Sequence, residues 1–305
     1  MNAPNGSTRK AETARRTRAV WPVQAALLIV SVVAIVPFLW MVGTSLKTND
    51  AAMAVPPQIV PHPIEFNWHY GIPIPKYYDE VLNSPKASFL LWTRNTLIVA
   101  ILGVAGTTLS SAVVAYGFSK IRFKGRSLLF GIMLGTMMIP FPVTMVSLFT
   151  IFRWMGDHTG VQFLGTFKPL WVPMWFGSAF NIFLLRQFFM TIPEELSESA
   201  RIDGCSEVGI FLRVILPLAR PALSVVALFA FMGVWNDFLG PLIYLHRPEQ
   251  FTLGLGLQNF QSQHGGTPWN QLMAASVLVI LPVLLLFFLA QRTFIEGIAT
   301  TGMKG

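Results

Sequence analysis

Side chains able to do acid–base, nucleophilic or metal chemistry are scattered through this sequence of 305 residues. Cys205 is the only cysteine, which excludes an intrachain disulfide and a CxxC redox pair. None of the five histidines begins an HExxH motif, and Lys47-Thr48 lacks the preceding glycine that a P-loop requires. The sequence therefore predicts no catalytic site, no metal site and no cofactor bound by the chain itself.

One polar segment, residues 191–217, has the pattern of two short helices joined by a turn. Thr191 and Glu194 fit a capping box, and Pro193 is tolerated in a first helical turn. Gly204 suits the left-handed conformation that closes a helix. This pattern predicts a docking role and not a catalytic one, because a protruding helix–turn–helix can be bound by another protein.

The second helix of this segment is predicted to begin at Ser206 and Glu207 and to end at Pro217. On the first helix, the residues that share one side by their spacing are Leu196, Ala200 and Asp203, with Ser199 beside them. Small side chains there allow the backbone of another protein to approach closely. The simpler alternative is an ordinary surface helix pair with solvated charges.

Apolar runs dominate the rest of the chain, which is 53% hydrophobic and 12% charged. That charged fraction is roughly half of the average for a soluble domain, so lipid is the expected solvent. About 20 apolar residues can cross a bilayer. Six spans are predicted, at residues 20–43, 91–117, 127–150, 170–190, 219–244 and 271–290. The expected fold class is an all-α polytopic membrane protein.

Basic residues set the orientation of these spans. The net charge is +8, but the basic residues cluster beside apolar runs as topology signals do, so nucleic-acid binding is not expected. The N-terminal tail, Lys120–Arg126, the 191–218 loop and the C-terminus place most of them on one face. By the positive-inside rule this face, with both termini, is cytoplasmic. The first run exceeds a signal-peptide core and is interpreted as an uncleaved span.

The predicted organisation has four parts. These are a flexible basic tail (1–18), the first span with an extended outer loop (19–90), the membrane core (91–292) and a cytoplasmic C-terminal tail (293–305). The outer loop, residues 46–90, is rich in proline and aromatic residues. Aromatic residues resting at the membrane interface are the simpler interpretation. A surface for a partner outside the membrane is the alternative.

Three polar residues within the predicted spans are candidates for a substrate pathway. Asp237 lies in an apolar stretch, where a central charge costs about 2.5–3.5 kcal/mol on insertion scales, so it needs a partner or water. With Asn236 it would shape a substrate cavity or outer gate, or else fix helix packing. Asn181 would contact substrate or form an interhelical hydrogen bond. Pro140 and Pro142 are expected to bend the third span.

The spacing of the polar segment is similar to a known motif. Glu198-Ser199-Ala200, Gly204 and Leu216-Pro217 resemble the EAA loop of binding-protein-dependent ABC permeases, with Ser199 where that family has alanine. Other stretches, including Trp235-Asn236-Asp237-Phe238, extend the resemblance over almost the whole chain. They narrow it to the second permease subunit of maltose-type sugar importers.

This resemblance implies a type I ABC importer fold with a cytoplasmic coupling helix, in a bacterial or archaeal plasma (inner) membrane. The ATPase-docking residues that it implies are Glu195, Glu198, Ser199, Ala200, Asp203, Gly204, Leu216 and Pro217. The partners that it implies are a homologous permease, two ATPase subunits that bind ATP and Mg, membrane lipid and an extracellular or periplasmic solute-binding protein. A sugar or oligosaccharide is the implied solute.

Two other classes of protein stay open at this stage. A secondary transporter driven by an ion gradient usually needs several intramembrane acids, and only Asp237 qualifies here. A membrane-embedded enzyme would need clustered catalytic groups within the bilayer, and the sequence contains none.

Overall fold

The computed structural model describes residues 6–61, 63–69, 71–83, 88–261 and 266–302. Residues 1–5 of the predicted tail and 303–305 of the predicted C-terminal tail lie outside the described residues. The chain forms two compact units, Met1–Val81 with Thr267–Val277, and Leu82–Gly266 with Leu278–Gly305. Both are built mainly of helices, which confirms the predicted class.

The α-helices, in chain order, are α1 (Gly6–Ser45), α2 (Asn49–Ala52), α3 (Lys76–Asn83), α4 (Phe89–Lys120), α5 (Arg126–Thr136), α6 (Phe141–Thr159), α7 (Lys168–Trp171), α8 (Ala179–Thr191), α9 (Glu194–Ile202), α10 (Glu207–Ile210), α11 (Leu216–Leu218), α12 (Arg220–Trp235), α13 (Leu239–Tyr244), α14 (Leu253–Gly256) and α15 (Trp269–Gly302). Short 3₁₀ turns cover Val172–Phe176, Pro248–Gln250 and Leu257–Phe260, and a π-helical turn covers Phe211–Ile215.

Helix α1 is longer than the first predicted span. It begins at Gly6, so residues 6–18 are helical where the sequence predicts a flexible tail. The reason is local, because Ala, Arg, Lys and Glu, which are frequent there, have high helix propensity. At the other end of the chain α15 continues to Gly302, through most of the predicted C-terminal tail.

The predicted outer loop, between α1 and α4, is folded more regularly than its proline content suggests. Strands β1 (Phe66–His69) and β2 (Ile72–Pro75) form an antiparallel hairpin, and α3 follows directly. His69 Nε2 lies 2.8 Å from the Asp79 carboxylate of α3, and Lys76 Nζ lies 2.6 Å from Glu65. These two contacts connect the hairpin and the residue before it to the helix, and Trp68 stays exposed.

In the second unit, α4 agrees with the second predicted span to within three residues at each end. The third predicted span, 127–150, is divided into α5 and α6, which are bent by 97°. Pro140 precedes α6 and Pro142 lies in its first turn. The expectation that these prolines interrupt the helix is therefore confirmed, because each lacks the N–H that a continuous helix would use.

Two further predicted spans are also divided. Residues 170–190 form α7, a 3₁₀ turn and α8, with Gly177 at a positive φ (+85°) between the turn and α8. Residues 219–244 form α12 and α13, separated at 236–238. Asp237 therefore lies in a helix break, whereas the sequence predicts it inside a continuous helix.

By length and composition, three described helical stretches could cross a membrane, namely Trp21–Ser45, Phe89–Lys120 and Trp269–Gln291. Two bent pairs raise this to five if each pair is one span, α5 with α6 and Glu207–Leu218 with α12. The fourth predicted span does not enter this count, since its pieces are short.

We expect Gly106→Ala to destabilise the protein and Gly117→Ala to leave it as stable or more so. A Cβ at Gly106 would overlap the Trp175 ring, whose Nε1 donates to the Leu102 carbonyl at 3.1 Å, while Gly117 has nothing within 4 Å. Overpacking of this kind costs about 1–3 kcal/mol. Thermal unfolding of the detergent-solubilised variants measures the difference. Equal melting temperatures would contradict the packing of Trp175 against α4.

Candidate functional site

The start of the 191–217 segment differs from the prediction in its capping. Thr191 is the last residue of α8, and its hydroxyl donates to the Phe188 carbonyl at 2.7 Å. The predicted capping box is therefore wrong. Pro193 forces the preceding Ile192 into an extended conformation (ψ 124°), which ends α8 and leaves the threonine in its own helix. Helix α9 then begins at Glu194.

The turn after α9 agrees with the prediction. Gly204 is left-handed, with φ +81°, and its N–H donates to the Arg201 carbonyl at 3.0 Å. The Cys205 N–H donates to the Ala200 carbonyl at 2.9 Å. This pair of bonds is a Schellman motif, which satisfies carbonyls at the end of the helix.

The second helical part of the segment begins as predicted and ends later. The Ser206 hydroxyl accepts from the Gly209 N–H at 3.2 Å and so caps α10. Pro217 does not end the helix, because the π-helical turn Phe211–Ile215 precedes it and helical backbone continues to Leu218. A wider turn relieves the clash of the proline ring with the preceding carbonyls. The chain then bends by 80° into α12.

The predicted docking residues lie on two sides of this segment. Those exposed to solvent are Glu195, Glu198, Ser199, Asp203, Gly204 and Pro217. Ala200 and Leu216 are half-buried against a cluster that includes Ile210, Ile215 and Phe189. The exposed set can contact a partner, while the half-buried pair supports the segment from within. Of the residues expected on one side of α9, Leu196 and Asp203 are exposed and Ala200 is not.

Helix α9 has an inverted pattern that sequence reasoning missed. Ser197 is fully buried, whereas Ile202 is 87% exposed. Val208 and Leu212 in the following turns are also exposed. A surface helix normally turns its apolar side chains inward, and exposed apolar patches mark interaction sites. The available signal was Ile202 itself, an apolar residue directly before the closing turn of a polar helix.

An ion pair links α9 to α10 across the turn. Arg201 Nε lies 2.8 Å from Glu207 Oε1, in the loop between the fourth and fifth predicted spans. The hydrogen bond from Arg201, and then that from the Tyr116 hydroxyl, holds the pKa of Glu207 below its usual range. Glu207 is therefore ionised at neutral pH and keeps both contacts.

A cavity in the second unit is the other candidate region. Its volume is about 510 Å³, and α4, α6, α8, α12 and α13 contribute to its lining. Asn181 and Asp237 both line it, and Asn236 is not among its lining residues. Asn236 is exposed, with its amide donating to the Met232 carbonyl at 2.8 Å. The structure thus brings together two of the three predicted pathway residues.

The polar groups of this cavity differ in how they are satisfied. Asp237 Oδ1 accepts from the Gly240 N–H at 3.1 Å, at the start of α13. Asn181 is only 6% exposed, and its side-chain oxygen has no hydrogen-bond partner within the described part of the chain. Phe141, Phe180 and Phe229 supply aromatic walls. A buried unpaired acceptor among aromatic side chains suits a ligand that carries hydroxyl groups.

Taken together, the divided helices, the cavity and the exposed helical loop describe a polytopic membrane protein. The family described as binding-protein-dependent transport system inner membrane component matches residues 106–299, and the chain belongs to that family. It is a permease subunit of an ABC importer. This membership sets aside the alternative of an ion-gradient-driven transporter.

Several curated relatives are similar over most of their length. The arabinooligosaccharides transport system permease protein AraQ of Bacillus subtilis is 36% identical over 217 residues, 71% of this chain and 74% of the relative. The galactooligosaccharides permease GanQ of Bacillus subtilis is 29% identical, covering 92% of this chain and 93% of the relative. The trehalose/maltose permease MalG of Thermococcus litoralis is 28% identical, covering 91% and 94%.

A solved structure supports the fold. It is the crystal structure of a bacterial ABC transporter involved in the import of the acidic polysaccharide alginate, to which this chain is similar with a TM-score of 0.75. The identity is 24%, and the match covers 91% of this chain and 97% of that chain. The architecture is therefore that of an ABC importer membrane subunit.

We expect Gly204→Val to reduce solute uptake, while Gly204→Asn retains most of it. A Cβ at Gly204 would meet nothing within 4 Å, so any effect comes from backbone conformation and not from crowding. A left-handed conformation costs an ordinary residue about 1–2 kcal/mol, and asparagine tolerates it better. Uptake by the reconstituted importer measures this. Equal uptake by both variants would show that the left-handed turn is not required.

Proposed function

We propose that this chain forms half of the translocation pathway of an ATP-driven sugar or oligosaccharide importer, and that a separate ATPase subunit docks on residues 191–217. The observation that carries the docking proposal is the inverted α9, which buries Ser197 and exposes Ile202. An isoleucine held at the end of a capped helix loses little entropy on binding, so it can fill an apolar pocket on a partner at low cost.

The charges around Ile202 suit the same partner surface. Glu195, Glu198 and Asp203 are exposed on α9, and they would face basic or polar groups at the rim of the ATPase pocket. The apolar contact would supply affinity, and the acidic rim would fix orientation and accelerate encounter. ATP and Mg would be bound and turned over by two such ATPase subunits, with this chain non-catalytic.

The remaining partners follow from the family. Its description as binding-protein-dependent supports an extracellular or periplasmic solute-binding protein that delivers the solute. A homologous permease subunit would supply the other half of the pathway. The membrane would be a bacterial or archaeal plasma membrane, with both termini and residues 191–217 on the cytoplasmic side, as the positive-inside rule indicates.

The solute class is supported by the relatives and by the cavity. The relatives are named for arabinooligosaccharides, galactooligosaccharides, and trehalose or maltose. Asn181 and Asp237 would hydrogen-bond sugar hydroxyls, and the aromatic walls would contact the apolar faces of the sugar rings. These contacts would be transient, since a transport site must also release its solute.

The mechanism we propose is alternating access. Closure of the ATP-bound subunits would move the docked α9, and the movement would pass into the membrane helices that follow it. The breaks between α5 and α6 and between α12 and α13 would provide places where these helices can pivot, because the backbone is already interrupted there.

We expect Ile202→Asp to reduce copurification of the ATPase subunit in detergent by about tenfold or more, because the acid cannot fill an apolar pocket. The matched control is Val55→Asp, which changes a residue 94% exposed on the outer segment. Pull-down with a tag on this chain, followed by quantification of the ATPase, measures both. Wild-type recovery of the ATPase with Ile202→Asp would contradict docking through α9.

We expect Asn181→Leu to lower solute uptake several-fold without lowering the melting temperature. Leucine is of similar size and removes a buried acceptor that has no partner within the described structure, so the folded state loses nothing. A solute hydroxyl would lose its hydrogen bond. Asn236→Leu, outside the cavity lining, is the control and should not change uptake in this way. If Asn181→Leu transports normally, Asn181 is not in the pathway.

A further inference from the structure

The cytoplasmic end of α4 contains a lysine whose charge is almost completely enclosed. The Lys120 side chain is 4% exposed. Its ammonium donates to the Ile192 carbonyl at 2.7 Å and lies 3.2 Å from the Glu194 carboxylate. A buried ammonium is costly unless it is paired, so these two acceptors hold it in one place. Both acceptors lie where α8 ends and α9 begins.

A second contact comes from the same face of α4, one turn earlier. Tyr116 is buried, and its hydroxyl donates to Glu207 Oε2 at 2.7 Å. The other oxygen of Glu207 accepts from Arg201 Nε at 2.8 Å. Tyr116 and Lys120 are four residues apart, so their side chains point the same way from the helix. Together they reach α9 at its start and α10 just after the turn.

The two hydrogen bonds of Lys120 and the one of Tyr116 hold the 191–217 segment at two separated points. They therefore restrain the orientation of α9 as well as its position. A single contact would leave α9 free to rotate about it, whereas Lys120 at one end and Glu207 beyond the other oppose that rotation. Arg201 completes the arrangement, since it bridges α9 to the same Glu207 carboxylate and lies 3.8 Å from Glu194. Residues 191–217, named the docking loop from here on, are therefore fixed to α4 through side chains and not only through the peptide chain that leads to α12.

Helix α4 also reaches the cavity. Val99 and Thr107, in its middle turns, line the cavity together with Asn181 and Asp237. One rigid helix thus contacts the proposed docking loop at one end and the proposed solute pathway along its length.

From these contacts we infer that Tyr116 and Lys120 are positioning residues that couple movement of the docking loop to α4, and through α4 to the cavity. The inference rests on the proposed function, since it needs an ATPase that moves α9. It assigns the coupling to two α4 side chains outside the 191–217 segment.

Apolar packing alone would hold the loop in place but would not have the same consequence. The Tyr116 ring lies 5.0 Å from the Phe211 ring, centroid to centroid, and Ile210 and Ile215 are buried beside them. This packing keeps the loop attached when the polar bonds are removed. Loss of the bonds should therefore loosen the orientation of α9 and not detach it, so ATPase would still bind while its work is less well transmitted.

The test uses the complete importer in proteoliposomes with its solute-binding protein, and it measures ATP hydrolysed per solute imported. Lys120→Met keeps the aliphatic chain and removes the ammonium. Tyr116→Phe keeps the ring against Phe211 and removes only the hydroxyl. The matched controls are Lys124→Met, at an exposed lysine, and Tyr78→Phe, which removes a hydroxyl bonded to Ser45 at 2.7 Å in the other unit.

We expect ATP hydrolysed per solute to rise about tenfold for Lys120→Met, which loses a charge-assisted bond, and about threefold for Tyr116→Phe. Copurification of the ATPase should stay near wild type in both variants, and the controls should keep the wild-type ratio. Lys120→Arg should retain part of the coupling, because its guanidinium can donate to the same acceptors.

If Tyr116→Phe hydrolyses as much ATP per imported solute as the wild type, the inference is overturned. This outcome decides the matter even if Lys120→Met fails to assemble, because Tyr116→Phe is the milder change. Parallel loss of uptake and ATP hydrolysis with an unchanged ratio would overturn it as well, since that result marks a purely structural role. Absence of ATP-coupled uptake in the wild-type complex would instead reject the proposed function. The two failures are therefore distinguishable.

Discussion

Lipid offers no hydrogen bonds to a polypeptide backbone, and this constraint decides where the membrane helices of the second unit are allowed to break. The three breaks, at 137–140, 177–178 and 236–238, all lead into residues that line one cavity, namely Phe141, Gly177 and Asp237. Gly177 makes its break possible through a positive φ. Asp237 replaces a lost helical bond by accepting from the Gly240 N–H. These three breaks therefore border the cavity, whereas the 80° bend between Leu218 and Arg220 lies outside its lining.

The polar bonds at the end of α4 have a different physical role from the apolar packing beside them. Burying an ammonium costs free energy that its partners only partly return, so the Lys120 contacts are a poor source of net stability. The Lys120 contacts instead restrain the orientation of α9, because the energy of a hydrogen bond depends on its angle while that of an apolar contact does not. Attachment of α9 then comes from the cluster around Ile210 and Ile215, and orientation comes from Tyr116 and Lys120. The coupling that we infer needs both.

Local patterns predicted local features well. Apolar runs indicated the membrane class, the limits of α4 were close, and Gly204 was correctly placed in a left-handed turn. The capping box at Thr191 was wrong because Pro193 changes the conformation of the residue before it, a rule that outweighs capping preference here. Lys120 was recognised only as a topology signal. Its two acceptors lie 72 and 74 residues away, and no periodicity within a helix reports such a contact. The hairpin between α1 and α4 was also missed, because proline within a short segment argues against a strand.

The inverted pattern of α9 follows from the same division between attachment and docking. A helix that buries its apolar side cannot offer that side to a partner, so a docking helix must be held by something else. Ser197 is fully buried although its hydroxyl has no hydrogen-bond partner within the described residues, which is unfavourable for stability. A small side chain there lets α9 lie close to the core, within reach of Lys120. Helix α9 thus buries a small polar side chain at an energetic cost, while Ile202 faces outward.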